Sequence, residues 1–188
     1  RFILVENEEK KCSLQNICEA VQNYSEEEDI IVILDGDDFL YGDSVLTRLN
    51  EEYNKHNCWL TYGSYISLTS KTRGKFAKKL PDYIIEKSLF REYEWCTSHL
   101  RTFKSFLFKS INKEDLTDAA GAYYNMAGDL VIMFPMLEMA GNKSHYVNDL
   151  MYIWNDTNML NEHKVNHVKQ LSVEKIIRGM NKYDRLIR

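Results

Sequence analysis

The chain has 188 residues, of which 44% are hydrophobic and 28% charged, with two prolines and a formal net charge of −4. That length suffices for one domain with a substantial core, and the composition is that of an ordinary soluble globular protein. The negative charge argues against nucleic acid or an anionic membrane as the main partner, and no apolar run approaches the ~18 residues of a transmembrane segment.

In chain order, Phe2 to Val5 is a short apolar strand candidate, closed by the polar run from Glu6 to Lys11. Leu14, Ile17, Cys18, Val21 and Tyr24 fall at helical spacing. After an acidic turn, Ile30 to Leu34 is a continuous aliphatic run, the pattern of a strand buried on both faces. Ser44 to Tyr53 predicts a helix, and Trp59 to Leu68 aromatic-rich strand material. Ser70 to Lys79 is a basic loop, and Phe103 to Ile111 suits strand or helix equally. Leu130 to Ala140 is nearly all apolar, ends at Gly141, and carries Pro135, which predicts a kink or break. Val147 to Trp154 predicts a last strand. Leu160 to Met180 predicts an amphipathic helix with Val165, Val168 and Leu171 facing inward. Strands alternating with helices predict an α/β layered domain, 1–188, with a mostly parallel sheet flanked by helices. Cys12, Cys18, Cys58 and Cys96 form no C-x-x-C pair and suit reduced thiols.

The aliphatic strand runs straight into Asp35, Asp37 and Asp38. Like charges at that density repel unless a cation sits among them, and the carboxyl end of a strand is where open α/β sheets bind ligands. Hard divalent ions take oxygen ligands and share them with substrate phosphates. A charged turn with Asp35 or Asp38 as a helix cap would need no ion. A calcium loop fails, because Leu40 stands where glycine is required and a strand precedes. A D-x-D phosphatase would have a different sequel from Asp38-Phe39-Leu40.

"LDGDDFLYGDSVL" resembles the D-x-D segment of family 2 glycosyltransferases with the GT-A fold. The similarity continues, in family order, at "WLTYGSYI", "SHLRTFKSFLFKSI", "GDLVIMFPMLEMAG" and "YIWNDTNMLNEHKVN". The resemblance implies a GT-A type, Rossmann-like sheet and a metal-dependent transfer of sugar from a nucleotide sugar, commonly a uridine diphosphate (UDP) sugar, to an acceptor hydroxyl with inversion. It implies Mn²⁺ or Mg²⁺ as cofactor, held by Asp35 and Asp37, with Asp38 beside them in an open role. Asp129 is then the general base, its simpler alternative role being a helix cap. His99 and Arg101 would face the donor, and Asn158, His163 and Lys164 the diphosphate. His163 and His167 share a helical spacing, but no further ligand accompanies them for zinc. Among the aromatic residues Trp59, Tyr62, Tyr65, Trp95, Tyr123 and Tyr124, Trp95 is the preferred sugar-stacking candidate. The acceptor is a glycan, a protein or a small molecule.

Relatives open with strands that bind the nucleotide base, and nothing here matches them. The chain starts at Arg1, so it is expected to lack that N-terminal portion. The sheet edge beside Phe2 to Val5 should then be covered by a second copy, a separate N-terminal fragment or residues outside this sequence. Richness in Lys, Asn and Ile fits an AT-rich, viral genome, and the expected location is the cytoplasm, that of a host if the source is viral. A sugar- or nucleotide-binding protein without catalysis is the alternative function.

Overall fold

The computed structural model describes residues 2–158 and 167–188. Helix α1 (Ser13–Tyr24) leads to strand β1 (Ile30–Val32), β2 (Phe39–Leu40), α2 (Val45–His56), β3 (Leu60–Gly63) and β4 (Tyr65–Ser67). A short α3 (Asp82–Glu86) precedes β5 (Ser98–Lys104), which runs directly into α4 (Ser105–Lys109). The chain closes with α5 (Gly128–Ala140), β6 (Ser144–Tyr146), β7 (Tyr152–Trp154) and α6 (His167–Arg178).

Two sheets form, ordered β1-β5-β3-β6 and β2-β7-β4. Period-2 alternation assigns the faces of the larger one. Leu60, Tyr62 and Phe103 point to one side, where α1, α4 and α5 build the main core. Thr61 and Thr102 point to the other, where their hydroxyls meet at 2.6 Å and Tyr53 of α2 joins them at 2.9 Å. Helices therefore cover both faces, as an α/β layered domain requires. Leu130 to Ala140 are all buried in α5, which explains why that segment is apolar all round rather than on one stripe.

The sheets are mixed rather than mostly parallel. β5 lies antiparallel to both β1 and β3, and among the described residues only β3–β6 and β4–β7 are parallel. A continuous aliphatic run suits burial in either direction of pairing, so Ile30 to Leu34 could not reveal this. That strand is also shorter than expected and lies at the edge of its sheet, half-buried rather than central. Phe2 to Val5 forms no strand and is exposed. Phe103 to Ile111 is both of its alternatives in succession, the end of β5 and then α4. Val147 to Trp154 yields a strand only at its end. In α6, Leu171 is exposed and Ile177 is fully buried, a rotation of the predicted inward face; Val165 lies outside the described residues.

The C-terminal segment is held by a buried ion pair. Arg91 Nε and Nη2 donate to Glu138 Oε1 and Oε2 at 2.6 and 2.9 Å, Arg91 Nη1 donates to the Ile177 carbonyl at 2.6 Å, and the Tyr183 N–H donates to Glu138 Oε2 at 3.1 Å. Both charged side chains are almost wholly buried. A bidentate pair satisfied on every side is stable as a unit, but removing one partner strands the other charge in the core. Glu138→Ala should therefore cost about 3–5 kcal/mol in urea unfolding, and Arg91→Met combined with Glu138→Leu should recover much of that loss. A Glu138→Ala loss under about 1 kcal/mol would show that water reaches the pair.

Candidate active site

The turn from Asp35 to Asp38 carries the chain from the larger sheet to the smaller one, between β1 and β2. It closes with the Asp38 N–H donating to the Asp35 carbonyl at 3.1 Å. Its three carboxylates differ in environment. Asp38 is buried, and its oxygens are committed: Oδ1 accepts from the Asn155 N–H at 2.7 Å and Oδ2 from the Tyr152 hydroxyl at 2.5 Å. Asp35 is exposed and touches the same hydroxyl at 3.3 Å. Asp37 is half-buried and accepts from Asn158 Nδ2 at 2.6 Å. Burial pushes the Asp38 pKa up and the charges of Asp35 and Asp37 add to this, while the two hydrogen bonds pull it back. Burial, followed by the nearby Asp35 charge, raises the Tyr152 hydroxyl, which stays a donor.

These carboxylates line a cavity of about 500 Å³, within the range of ordinary small-molecule sites. A Cβ built on Gly36 would meet nothing within 4 Å, so the glycine leaves open space between the aspartates. His99 and Arg101 of β5 also line the cavity, as does Asp129 in the first turn of α5. Gly63 allows β5 its position here, since a Cβ would lie 3.2 Å from the His99 carbonyl and 3.0 Å from that of Val147.

His99 stacks on Tyr152 with ring centroids 4.2 Å apart, and Arg101 Nη2 lies 2.9 Å from its Nε2. Burial first, then the Arg101 charge, holds the His99 pKa well below its ordinary value, so the ring is neutral and accepts from the guanidinium. Arg101 Nη1 is 3.5 Å from Asp129 Oδ2, a long ion pair. Arg101 Nε and Gln170 Oε1, both buried and lining the cavity, lack a hydrogen-bond partner among the described residues. Buried polar atoms are rarely left so, and an orphaned guanidinium N–H is suited to an anionic ligand.

Asp129 does not cap its helix. Ala127 precedes α5 in the left-handed region at φ 52°, and Asp129 Oδ1 accepts only from the adjacent Leu130 N–H, at 3.0 Å. The carboxylate is partly exposed toward the cavity.

The structure thus brings Asp35, Asp37, Asp38, His99, Arg101 and Asp129 to one cavity. Asn158 lies beside Asp37, while His163 and Lys164 fall outside the described residues. Trp95 is not at the cavity; it packs edge-on against Phe134 at 5.5 Å. Trp59 and Tyr62 are core residues, and of the aromatic candidates Tyr124 lines the cavity. Sequence reasoning missed Trp154, which also lines it, and Tyr152, which organises it. Both stand in the "YIWNDTN" stretch, where an apolar strand pattern concealed a polar hydroxyl contact.

No known protein family and no curated protein matches the sequence. Solved structures do resemble it. One S. aureus TarS structure, of residues 1–349, superposes with a TM-score of 0.49 at 13% identity, covering 87% of this chain and 45% of that one. Another TarS structure gives a TM-score of 0.52 at 13% identity, covering 89% of this chain and 28% of that one. The chain therefore spans less than half of either TarS structure. At 13% identity the second likeness establishes the fold alone: a GT-A-like α/β arrangement with mixed sheets.

The neutral state of His99 has a consequence for pH. Its pKa is lowered on folding from 6.5, so the unfolded chain binds a proton that the folded one does not. That contribution to stability is present above pH 6.5 and is lost as the pH falls below it. Urea unfolding of the wild type should therefore weaken more steeply between about pH 7 and 5 than that of His99→Phe, which keeps the stacking without the titration. Parallel pH slopes for the two proteins would contradict a neutral His99.

Proposed function

We propose that the protein is a metal-dependent glycosyltransferase that moves a sugar from a nucleotide sugar, UDP-linked, to an acceptor hydroxyl with inversion. The observation that carries this is the presence in one cavity of Asp35 and Asp37 together with a buried Arg101 whose Nε has no hydrogen-bond partner among the described residues. A nucleoside diphosphate with a divalent cation would fit both: Asp35 and Asp37 would hold the ion, and Arg101 would donate to the phosphate oxygens. The GT-A-like fold supports the same chemistry.

The donor set suits Mn²⁺ or Mg²⁺, because it is all oxygen and lies beside open space at Gly36. Asp37 and Asp35 would hold the ion, while Asp38 has both oxygens engaged by Asn155 and Tyr152 and acts by fixing the turn. When bound, the ion supplies Lewis-acid stabilisation of the leaving diphosphate. Arg101 donates to the same phosphates, and neutral His99 holds the guanidinium without adding a competing charge. Asp129 takes the proton of the acceptor hydroxyl as its oxygen bonds to the anomeric carbon. The sugar–phosphate bond breaks on the opposite face, and the electron pair leaves with the diphosphate. Tyr124 and Trp154 provide the aromatic wall against which a sugar ring can lie.

A panel of nucleotide sugars, with release of free nucleotide as readout and Mn²⁺ present, tests this. Asp37→Ala should abolish metal-dependent donor binding. Asp129→Asn should bind donor normally and lose about 10²–10⁴-fold in transfer. Equal loss of donor affinity in both variants would refute the division of roles, and turnover of a simple phosphate ester without nucleotide sugar would favour a phosphatase.

A further inference from the structure

Away from the cavity, α2 and β6 bring together Glu52, His56 and His145, none of which lines it. Glu52 is buried, an unusual place for a carboxylate. Its two oxygens face different neighbours. Oε1 is paired with the guanidinium of Arg48, which is itself held by Asp149 through Nε at 2.8 Å. Oε2 points at both imidazoles, 3.3 Å from His56 Nε2 and 2.9 Å from His145 Nε2. The two rings lie face to face with centroids 3.9 Å apart and an interplanar angle of 19°.

We propose that this triad is a binding site for a zinc-type divalent ion, separate from the ion of the aspartate turn. A tetrahedral centre with bonds of about 2.0–2.1 Å has ligand atoms about 3.3 Å apart. The distances from Glu52 Oε2 to the two histidines are of that size, and the three ligand atoms all lie within 4.8 Å of one another. Two imidazoles and one carboxylate are a donor set that zinc favours over the harder Mg²⁺. The lone pair of each imidazole lies in its own ring plane, so the exposed His56 ring would turn out of the stack for both nitrogens to take one ion. The Arg48 contact orients the carboxylate through its other oxygen, as partners of metal-bound carboxylates do. His56 is the exposed member, at the last turn of α2, so the ion has a way in and a fourth position for water.

The site would staple α2 to β6. Since β2 and then α2 follow the aspartate turn in the chain, the staple would fix the far end of that helix against the larger sheet.

Protein freed of metal by chelation and dialysis should bind one equivalent of Zn²⁺ by calorimetry, and Co²⁺ should give the visible absorption of a tetrahedral centre. The Asp35→Asn, Asp37→Asn double variant should bind Zn²⁺ as the wild type does. His145→Ala should lose at least tenfold in affinity together with the Co²⁺ band. His56→Gln, at an exposed helix end that tolerates substitution, should behave likewise and guards against misfolding of the His145 variant. Absence of Zn²⁺ binding in the wild type would overturn the proposal, as would Zn²⁺ binding undiminished in His56→Gln.

Discussion

The burial of Asp38 is the constraint on which the site depends. A carboxylate placed under the turn would be costly without partners, and it has two: the Tyr152 hydroxyl and the Asn155 N–H. Both come from β7 and the residue after it, so the bond pair fixes the smaller sheet against the end of β1. With Asp38 anchored, Asp35 and Asp37 are carried on a turn that cannot swing away from the cavity, even though their charges repel. The pairing of β2 with β7 extends the same attachment, with the Tyr41 N–H donating to the Met151 carbonyl at 3.0 Å.

The opposite charge comes from β5, and its placement follows from packing. Leu100 and Phe103 point into the two cores while Arg101 faces the cavity, so the strand that builds the centre of the sheet also delivers the guanidinium. His99 links the two halves. Its ring lies on Tyr152, and its nitrogen accepts from Arg101. A charged histidine there would push Arg101 away; a neutral one holds it. Anionic and cationic groups are thereby kept in one cavity without collapsing into a single ion pair, apart from the long Arg101–Asp129 contact.

Much of this was legible in the sequence, and the reasons for the rest are specific. The apolar run into Asp35, Asp37 and Asp38 located the turn, because burial followed abruptly by charge has few structural solutions. The helical periodicities of α1 and α2 located those elements to within a few residues, and the apolar segment before Gly141 became the buried helix α5. The direction of strand pairing was not legible, since hydrophobicity reports burial and not orientation. The separate role of Asp38 was hidden as well. Three aspartates in four residues look alike until a hydroxyl from a residue 114 positions later selects one of them. Trp95 misled for the same reason that Tyr152 was overlooked: aromatic residues serve core and site equally, and only the fold decides between them. The Glu52, His56 and His145 triad joins an i,i+4 helical pair to a distant strand, a spacing no local motif encodes.

The proposed transfer requires that Asp35 and Asp37 hold a divalent cation together with a nucleoside diphosphate. Electron paramagnetic resonance of Mn²⁺ titrated with the protein tests it most directly, because free aqueous Mn²⁺ gives a strong signal that binding broadens. With Zn²⁺ present to occupy any histidine site, the free signal should fall further with protein and UDP together than with UDP alone. That further fall should vanish when Asp35 and Asp37 are both replaced by Asn. Loss of the signal that is independent of UDP and unchanged in that double variant would contradict the account.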